Sequence, residues 1–322
     1  MINHDEVETC EACQVQYDCG EVSETETGFI CEQCEAKKPV LFVSFSGGRT
    51  SAYMCSLLQS DYSSQYRFIF VYANTGLEAE GTLEFVDKCD KEFGLNLNWL
   101  EADVQPAKGS PIEFKAVTFK TASRLGEPMA EIVAKHGIPN SGRPFCTQYL
   151  KTYVINAFKN SLGYKRSHKT AIGIRSDEFD RMNHAQIEKG ETVYPLITWK
   201  HTTKPDVLMF FKDAAFDLEI KEIEGNCVTC FKKSDRHLFT LAKHNPEYFE
   251  VFNKLEEKYG HIDAKSGDPF RFFRGNKSVA DIIASSTQPF REFNPELKEF
   301  QLSFSIDPLD KSEGCGEETC EG

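Results

Sequence analysis

Two groups of residues in this sequence could do chemistry: paired cysteines and a loop of glycines and hydroxyls. The 322-residue chain has 12 cysteines, at positions 10, 13, 19, 31, 34, 55, 89, 146, 227, 230, 315 and 320. Three pairs have C-x2-C spacing, namely Cys10/Cys13, Cys31/Cys34 and Cys227/Cys230, and Cys315/Cys320 form a looser pair near the end. A C-x2-C turn presents two thiolates on one knuckle, which in a non-secreted chain of this size means metal or redox chemistry. The first two pairs are separated by 17 residues, the spacing of a structural zinc site. Four thiolates from Cys10, Cys13, Cys31 and Cys34 would close a tetrahedron around Zn²⁺ with no open position. Cys19 is a fifth thiol that could replace one of them. Residues 1–37 are too few to hold a core without metal, so a zinc-ribbon-like unit is expected there.

The second group is SGGRTS (46–51), directly after the apolar run KPVLFVSF (38–45) and before AYMCSLLQS, which has helical apolar spacing. A Gly-rich turn between a buried strand and a helix is where parallel sheets hold phosphate. Gly47 and Gly48 let the backbone approach the anion, and the amides and helix N-terminus attract it. Ser44, Ser46, Thr50 and Ser51 add hydroxyls, and Arg49 adds charge. Neither G-x-x-x-x-G-K-[ST] nor G-x-G-x-x-G occurs.

These groups need a scaffold. YRFIFVYANTG (66–76), LNWLEAD (97–103) and KTAIGIR (169–175) read as further strands. TLEFVDKCDKEFG, SDRHLFTLAKH, PEYFEVFNKLEEKYG and SVADIIASS read as helices, and TKPDVLMFFKDAAF (203–216) as one entered through a Thr cap and Pro205. VYPLITW (193–199) fits strand or loop. Strands alternating with helices imply right-handed crossovers and an α/β fold with a doubly wound parallel sheet. Four segments are expected: a metal unit at 1–37, a nucleotide-binding domain at 38–235, a helical extension at 236–305 and an acidic tail at 306–322.

Composition narrows the class. Hydrophobic residues are 40%, so the chain can build a core, and no apolar run approaches the roughly 20 residues that cross a bilayer. The acidic, polar opening MINHDEVETCEACQ has neither a secretory nor a transit pattern, and the expectation is a cytoplasmic protein with no membrane partner. A net charge of −13 argues against a general nucleic-acid coat. YKRSHK (164–169), FKKSDRH (231–237) and FRFFRGNK (270–277) are local basic exceptions, each read first as a solvated face.

The loop FSGGRTS resembles the PP-loop, usually SGGxDS, of nucleotide α-hydrolases (ATP pyrophosphatases), with Thr50 where those enzymes often carry Asp. VYANTGLEAEGTLEFV resembles their "DTG…ET" segment, with Asn74 in place of Asp before Thr75 and Gly76. GIRSDEFDR (173–181) resembles the "GxRxxE…R" segment of sulfate adenylyltransferase small subunits and phosphoadenosine phosphosulfate (PAPS) reductase-like proteins. YPLITW, followed by Asp206 and Val207, resembles their "PLxxW…DV". The resemblance covers residues 40–235 and is to the PAPS reductase-like branch of the adenine nucleotide α-hydrolases. It implies a Rossmann-like fold and ATP or PAPS at residues 44–51, 74–76 and Gly173. It also implies that Arg175, Arg181 and Lys151 neutralise charge, and that Asp177 or Glu178 hold Mg²⁺ or orient an arginine.

Cys146 and the pair Cys227/Cys230 resemble the cysteine layout of adenosine phosphosulfate reductases, which bind a [4Fe–4S] cluster, although the first pair is here reduced to one thiol. Zinc with a fourth ligand and a simple redox pair are alternatives at these three. Cys315 loosely resembles the tail nucleophile of PAPS reductases. The first functional expectation is ATP-dependent adenylylation with pyrophosphate release followed by sulfur transfer to a nucleic-acid or protein acceptor. The others are sulfonucleotide reduction with a thioredoxin-like reductant, sulfate adenylylation, and a non-enzymatic binding module.

Overall fold

A computed structural model of the chain describes residues 37–294 apart from 108 and 263–266, the backbone of four short strands within 1–36, and Leu309. Those four strands form two antiparallel pairs, β1 (Val7–Thr9) with β2 (Gln16–Asp18) and β3 (Val22–Thr25) with β4 (Gly28–Cys31). Cys10, Cys13, Cys19 and Cys34 lie outside the described residues, as do the Cys31 side chain and both tail cysteines, Cys315 and Cys320.

The main sheet is built from β5 (Val40–Phe45), β6 (Arg67–Ala73), β7 (Asn98–Val104), β8 (Ile112–Val117), β9 (Thr170–Ile172) and β10 (Thr192–Val193). Their spatial order is β10-β9-β5-β6-β7-β8, parallel throughout except for β8, which runs antiparallel to β7. Helix α1 (Arg49–Tyr62) carries the chain from β5 to β6, and α2 (Glu80–Phe93) from β6 to β7. After β8 come α3 (Glu127–His136), a π-helical turn (Gln148–Thr152) and α4 (Tyr153–Ser161). The chain then returns to the other side of β5 as β9. Strand order therefore reverses at β5, and the crevice beyond the carboxyl ends of β5 and β9 is the place where such sheets bind ligands.

Side-chain alternation along β5 feeds two cores, one on each face. Phe42 enters a core with Val71, Leu100, Ile132, Val154 and the helices beyond residue 234. Leu41, Val43 and Phe45 enter the other, against Met54 and Leu58 of α1, Leu83 and Val86 of α2, and Val207 and Phe211 of α5 (Lys204–Asp213). Each of these fully buried side chains contributes on the order of 2 kcal/mol of transfer free energy. Helices α6 (Asp235–His244), α7 (Glu250–Tyr259) and α8 (Val279–Ser286) share the first core through Leu238, Phe252 and Ile282, so they pack on the same sheet that carries the loop.

Several local expectations change. Helix α1 starts at Arg49, so Arg49, Thr50 and Ser51 are its first turn rather than loop. Of KTAIGIR only three residues pair as β9. Gly173–Arg175 continue past the sheet, because beyond Ile172 they face the first turn of α1 instead of a strand. VYPLITW starts on Val193, the second residue of β10 (Thr192–Val193), and continues into a helical turn at Pro195–Thr198. Strand β8 was not foreseen from the sequence. It is an edge strand with mixed burial, and its signal is short: Ile112, Phe114 and Ala116 alternate with Glu113 and Lys115.

Candidate functional site

The loop after β5 is shaped by its own hydroxyls. The Ser46 amide donates to Ser51 Oγ (3.1 Å), the two serine hydroxyls lie 2.8 Å apart, and Ser51 Oγ donates to the Gly48 carbonyl (3.0 Å). Gly47 has φ +87°, and a Cβ there would stand 2.9 Å from Thr82 Cγ2 and 3.3 Å from the Tyr72 ring. Only glycine fits that position. Gly48 caps the 14-residue helix α1, whose first turn holds no acidic residue, so its N-terminal amides are unopposed and favour an anion. A Cβ at Gly48 would meet nothing closer than Ser46 Oγ at 4.0 Å, which leaves open space in front of the helix.

Across the switch point, Arg175 is buried and donates to Thr50 Oγ1 at 2.8 Å. Its guanidinium also meets Asp177 (3.0 Å) and Glu178 (3.4 Å), and Glu178 in turn takes a hydrogen bond from Arg181 at 2.7 Å. Thr50, standing where the PP-loop family often has Asp, is thus the acceptor that orients a cation. Asp177 and Glu178 orient the two arginines. Gly173 makes this junction possible, because a Cβ on it would lie 3.0 Å from Ser51 Cα. Arg49 donates to Asp217, with bonds of 2.6 and 3.0 Å, and to the Leu218 carbonyl at 2.8 Å.

These residues line a cavity of about 410 Å³. Ser46, Gly47, Gly48 and Thr82 form one wall, Arg175 and Glu178 another. Lys204, Leu208, Leu218, Ile220, Glu222 and Asn226 close the rest. Arg49 also lines it, so Arg49, Arg175 and Lys204 stand against Glu178 and Glu222 in a protein of net charge −13. Two buried hydroxyls beside Gly47, Tyr72 Oη and Thr82 Oγ1, have no hydrogen-bond partner. Burial pushes the Tyr72 phenol well above its ordinary value, and Glu78 and Cys227 push it further, so it stays a neutral donor. Buried donors without acceptors cost about 1–3 kcal/mol each. Thr82, Lys204, Glu222 and Asn226 are cavity residues that the sequence does not single out. Thr82 had a signal, since it ends the "ET"-like segment; the others come to the cavity by tertiary packing alone.

Other sequence-derived candidates lie elsewhere. Asn74 is fully buried and donates to Glu101 (2.6 Å) and the Ser123 carbonyl (2.9 Å), behind the cavity wall. Thr75 Oγ1 donates to Glu78 and lies 3.4 Å from Cys227 Sγ, and the Gly76 carbonyl accepts the Gly126 amide. Ser44 sits within β5, and Lys151 on the π-helical turn; neither lines the cavity. Cys227 and Cys230 share a turn held to residue 77 by the Val228 amide (3.0 Å), while Cys146 packs at the edge of the first core. Among the described residues, no three His, Cys, Asp or Glu side chains form a group able to hold a metal ion.

The chain belongs to the phosphoadenosine phosphosulfate reductase domain family, whose model matches residues 40–210. That span runs from β5 through the loop, Arg175 and the first part of α5. An uncharacterized nin region protein, ORF290, of Escherichia phage lambda is 31% identical over 216 residues, covering 66% of this chain and 73% of that one. An uncharacterized protein of Methanocaldococcus jannaschii is 24% identical over 240 residues, 71% of this chain and 51% of the relative. Among solved structures, the U34-tRNA thiolase NcsA of Methanococcus maripaludis, with its [4Fe–4S] cluster, aligns over 82% of this chain and 91% of its own. The TM-score is 0.34 at 15% identity, a likeness that carries no functional inference.

Proposed function

We propose that this chain is an ATP-dependent enzyme that adenylylates an acceptor oxygen and then exchanges that oxygen for sulfur. The observation that carries the reading is the cradle at the switch point. Gly47 and Gly48 sit at the α1 N-terminus, the Ser46 and Ser51 hydroxyls shape the turn, and Arg175 is held by Thr50. The triphosphate lies with its β- and γ-phosphates on the loop and α1, and the apolar side chains Leu208, Leu218 and Ile220 receive the nucleoside. The acceptor oxygen attacks the α-phosphorus and the α–β bridging bond breaks. The electron pair leaves with pyrophosphate, whose growing charge is met by loop amides, Arg175 and Lys204. The outer sulfur of a Cys227 persulfide then bonds the activated carbon while AMP departs with the carbon–oxygen electron pair; the Cys230 thiolate on the same turn attacks Cys227 Sγ, the product leaves as a thiolate, and an external dithiol reduces the Cys227–Cys230 disulfide that remains. Cys227 is the thiol proposed to carry that sulfur, since it follows cavity-lining Asn226 and lies against Thr75.

The test is calorimetric titration of the protein and its Gly48→Asp variant with ATP and with PAPS, followed by assay of pyrophosphate release. Space in front of Gly48 lets the variant fold, while its carboxylate opposes the phosphates. ATP binding that is lost in Gly48→Asp supports the reading. PAPS binding without ATP binding would replace it with sulfonucleotide reduction, which the family's name also favours.

A further inference from the structure

The opposite end of the sheet carries a second, chemically different surface. Three basic segments interrupt this acidic chain, and two of them are consumed internally. In 231–237, Lys233 and Arg236 are buried and donate to the carbonyls of Ile223 and Arg291. In 270–277, Arg271 pairs with Glu256, and Arg274 and Lys277 with Asp235. In 164–169 the side chains of Lys165, Arg166 and Lys169 are exposed, and no ion pair is formed by them among the described residues.

The 163–169 loop is rigidly built. Buried Lys159 donates from one ammonium to the carbonyls of Arg166 (3.4 Å) and His168 (2.8 Å) and to Thr170 Oγ1 (2.6 Å). His168 Nε2 bonds the Val40 carbonyl at 3.0 Å, and Arg67 donates to Tyr164 Oη at 2.7 Å. Between this loop and the starts of β5 and β6 lies a groove of about 540 Å³, walled by Tyr66 and Tyr164 and floored by Val40, with no carboxylate in its lining. Tyr66 belongs to a half-buried aromatic ladder, stacked at 5.2 Å on Trp199 and at 5.9 Å on Phe68.

We propose that this groove docks a single-stranded nucleic acid, with phosphates on Lys165, Arg166 and Lys169 and bases against the Tyr66 and Tyr164 rings. Exposed cations at a fixed spacing next to stackable rings are what a flexible polyanion with planar bases recognises. A duplex keeps its bases stacked on one another and cannot use the rings. A lipid surface would need apolar side chains to insert, and the exposed loop residues are charged or polar. The inference does not rest on the nucleotide reading, because the groove is about 20 Å, one six-residue strand, from the 46–51 loop.

The test is fluorescence anisotropy of the full chain with labelled single-stranded RNA, single-stranded DNA and duplex DNA of about 20 nucleotides, between about 50 and 200 mM salt. Single strands should bind, with a slope of log affinity against log salt near −2 for three phosphates at about −0.7 each. Lys165→Glu with Lys169→Glu should weaken binding at least ~10-fold and remove about 1.4 from the slope. Tyr66→Leu should weaken it ~5-fold or more with the slope unchanged. Thermal melts check that the variants fold, and ATP titration of the same variants should match the parent protein. Whichever of RNA or DNA binds more tightly identifies the natural strand and supports the proposal. Absence of single-strand binding at low salt, equal binding by parent and charge variant, or equal duplex binding with Tyr66→Leu silent would each overturn it. Binding confined to anionic vesicles would do the same.

Discussion

Asn74→Asp tests why this chain departs from its family at a position where an aspartate is usual. The Asn74 amide donates to Glu101 Oε1 at 2.6 Å and to the Ser123 carbonyl at 2.9 Å, and Asn74 and Glu101 are 0% and 1% exposed. The substitution places a second carboxyl against the first. Two carboxylates cannot both ionise there, so the pair must hold one proton at pH 7. Keeping a carboxyl of ordinary value about 4 protonated at pH 7 costs about 1.36 kcal/mol for each of about three pH units, near 4 kcal/mol. The Ser123 carbonyl also loses its donor, adding about 1 kcal/mol, while Lys115, 3.2 Å from Glu101, offsets part. The expected loss is therefore about 4 kcal/mol in urea unfolding at pH 7. The sign with pH follows from proton counting. The folded variant binds one proton more than the unfolded chain, so its stability falls as pH rises and recovers by about 1.4 kcal/mol per unit on going from pH 7 toward pH 5. Adding Glu101→Gln should restore most of the loss at pH 7. A loss below about 1 kcal/mol, or one that does not change with pH, would refute the reasoning that Glu101 dictates the amide.

Three further outcomes follow from the same geometry. Gly47→Ala should lower stability by about 1–3 kcal/mol, because φ +87° and the 2.9 Å approach to Thr82 both oppose a Cβ, and should weaken ATP binding more than ~10-fold by calorimetry. Arg175→Lys keeps the charge but loses the forked contacts to Thr50 and Asp177, so pyrophosphate release should drop at least ~10-fold while ATP affinity changes less. Burial lowers the Lys159 ammonium from 10.5 to about 8, so the unfolded chain binds more protons between about pH 8 and 10.5. Stability should rise with pH across that window, by at most about 1.4 kcal/mol per unit, and Lys159→Met should flatten the rise in urea midpoints measured from pH 7.5 to 9.5.

The parallel sheet and the glycine turn between β5 and α1 are legible because their signals are local. KPVLFVSF is apolar on both faces because β5 is buried on both faces, and the two glycines after it mark the turn into α1. Roles that depend on a partner far along the chain were not legible. The Asn74 amide is held by Glu101, 27 positions away. Arg49 lines the cavity, yet its guanidinium is held by Asp217 from 168 positions away. The basic segments looked alike in sequence, and only the placement of Asp235, Glu256 and the acceptor carbonyls separates two structural ones from an exposed one. The cysteine expectation rests on spacing alone; the structure sets Cys146 against the first core, which also holds Val228 and Phe231, and puts Cys227 and Cys230 on one turn.

The Gly173 contact with Ser51 has a consequence for how this scaffold can be altered. A Cβ there would stand 3.0 Å from a main-chain atom, so the two halves of the crevice are fastened by shape as well as by the Arg175–Thr50 bond. A side chain at 173 asks α1 to give by a few tenths of an ångström. Variation in what the cavity accepts is then easier in segments outside the sheet, where Lys204, Leu208, Glu222 and Asn226 stand. Inheritance and engineering are given the same instruction: keep the sheet-borne half and rewrite 204–226.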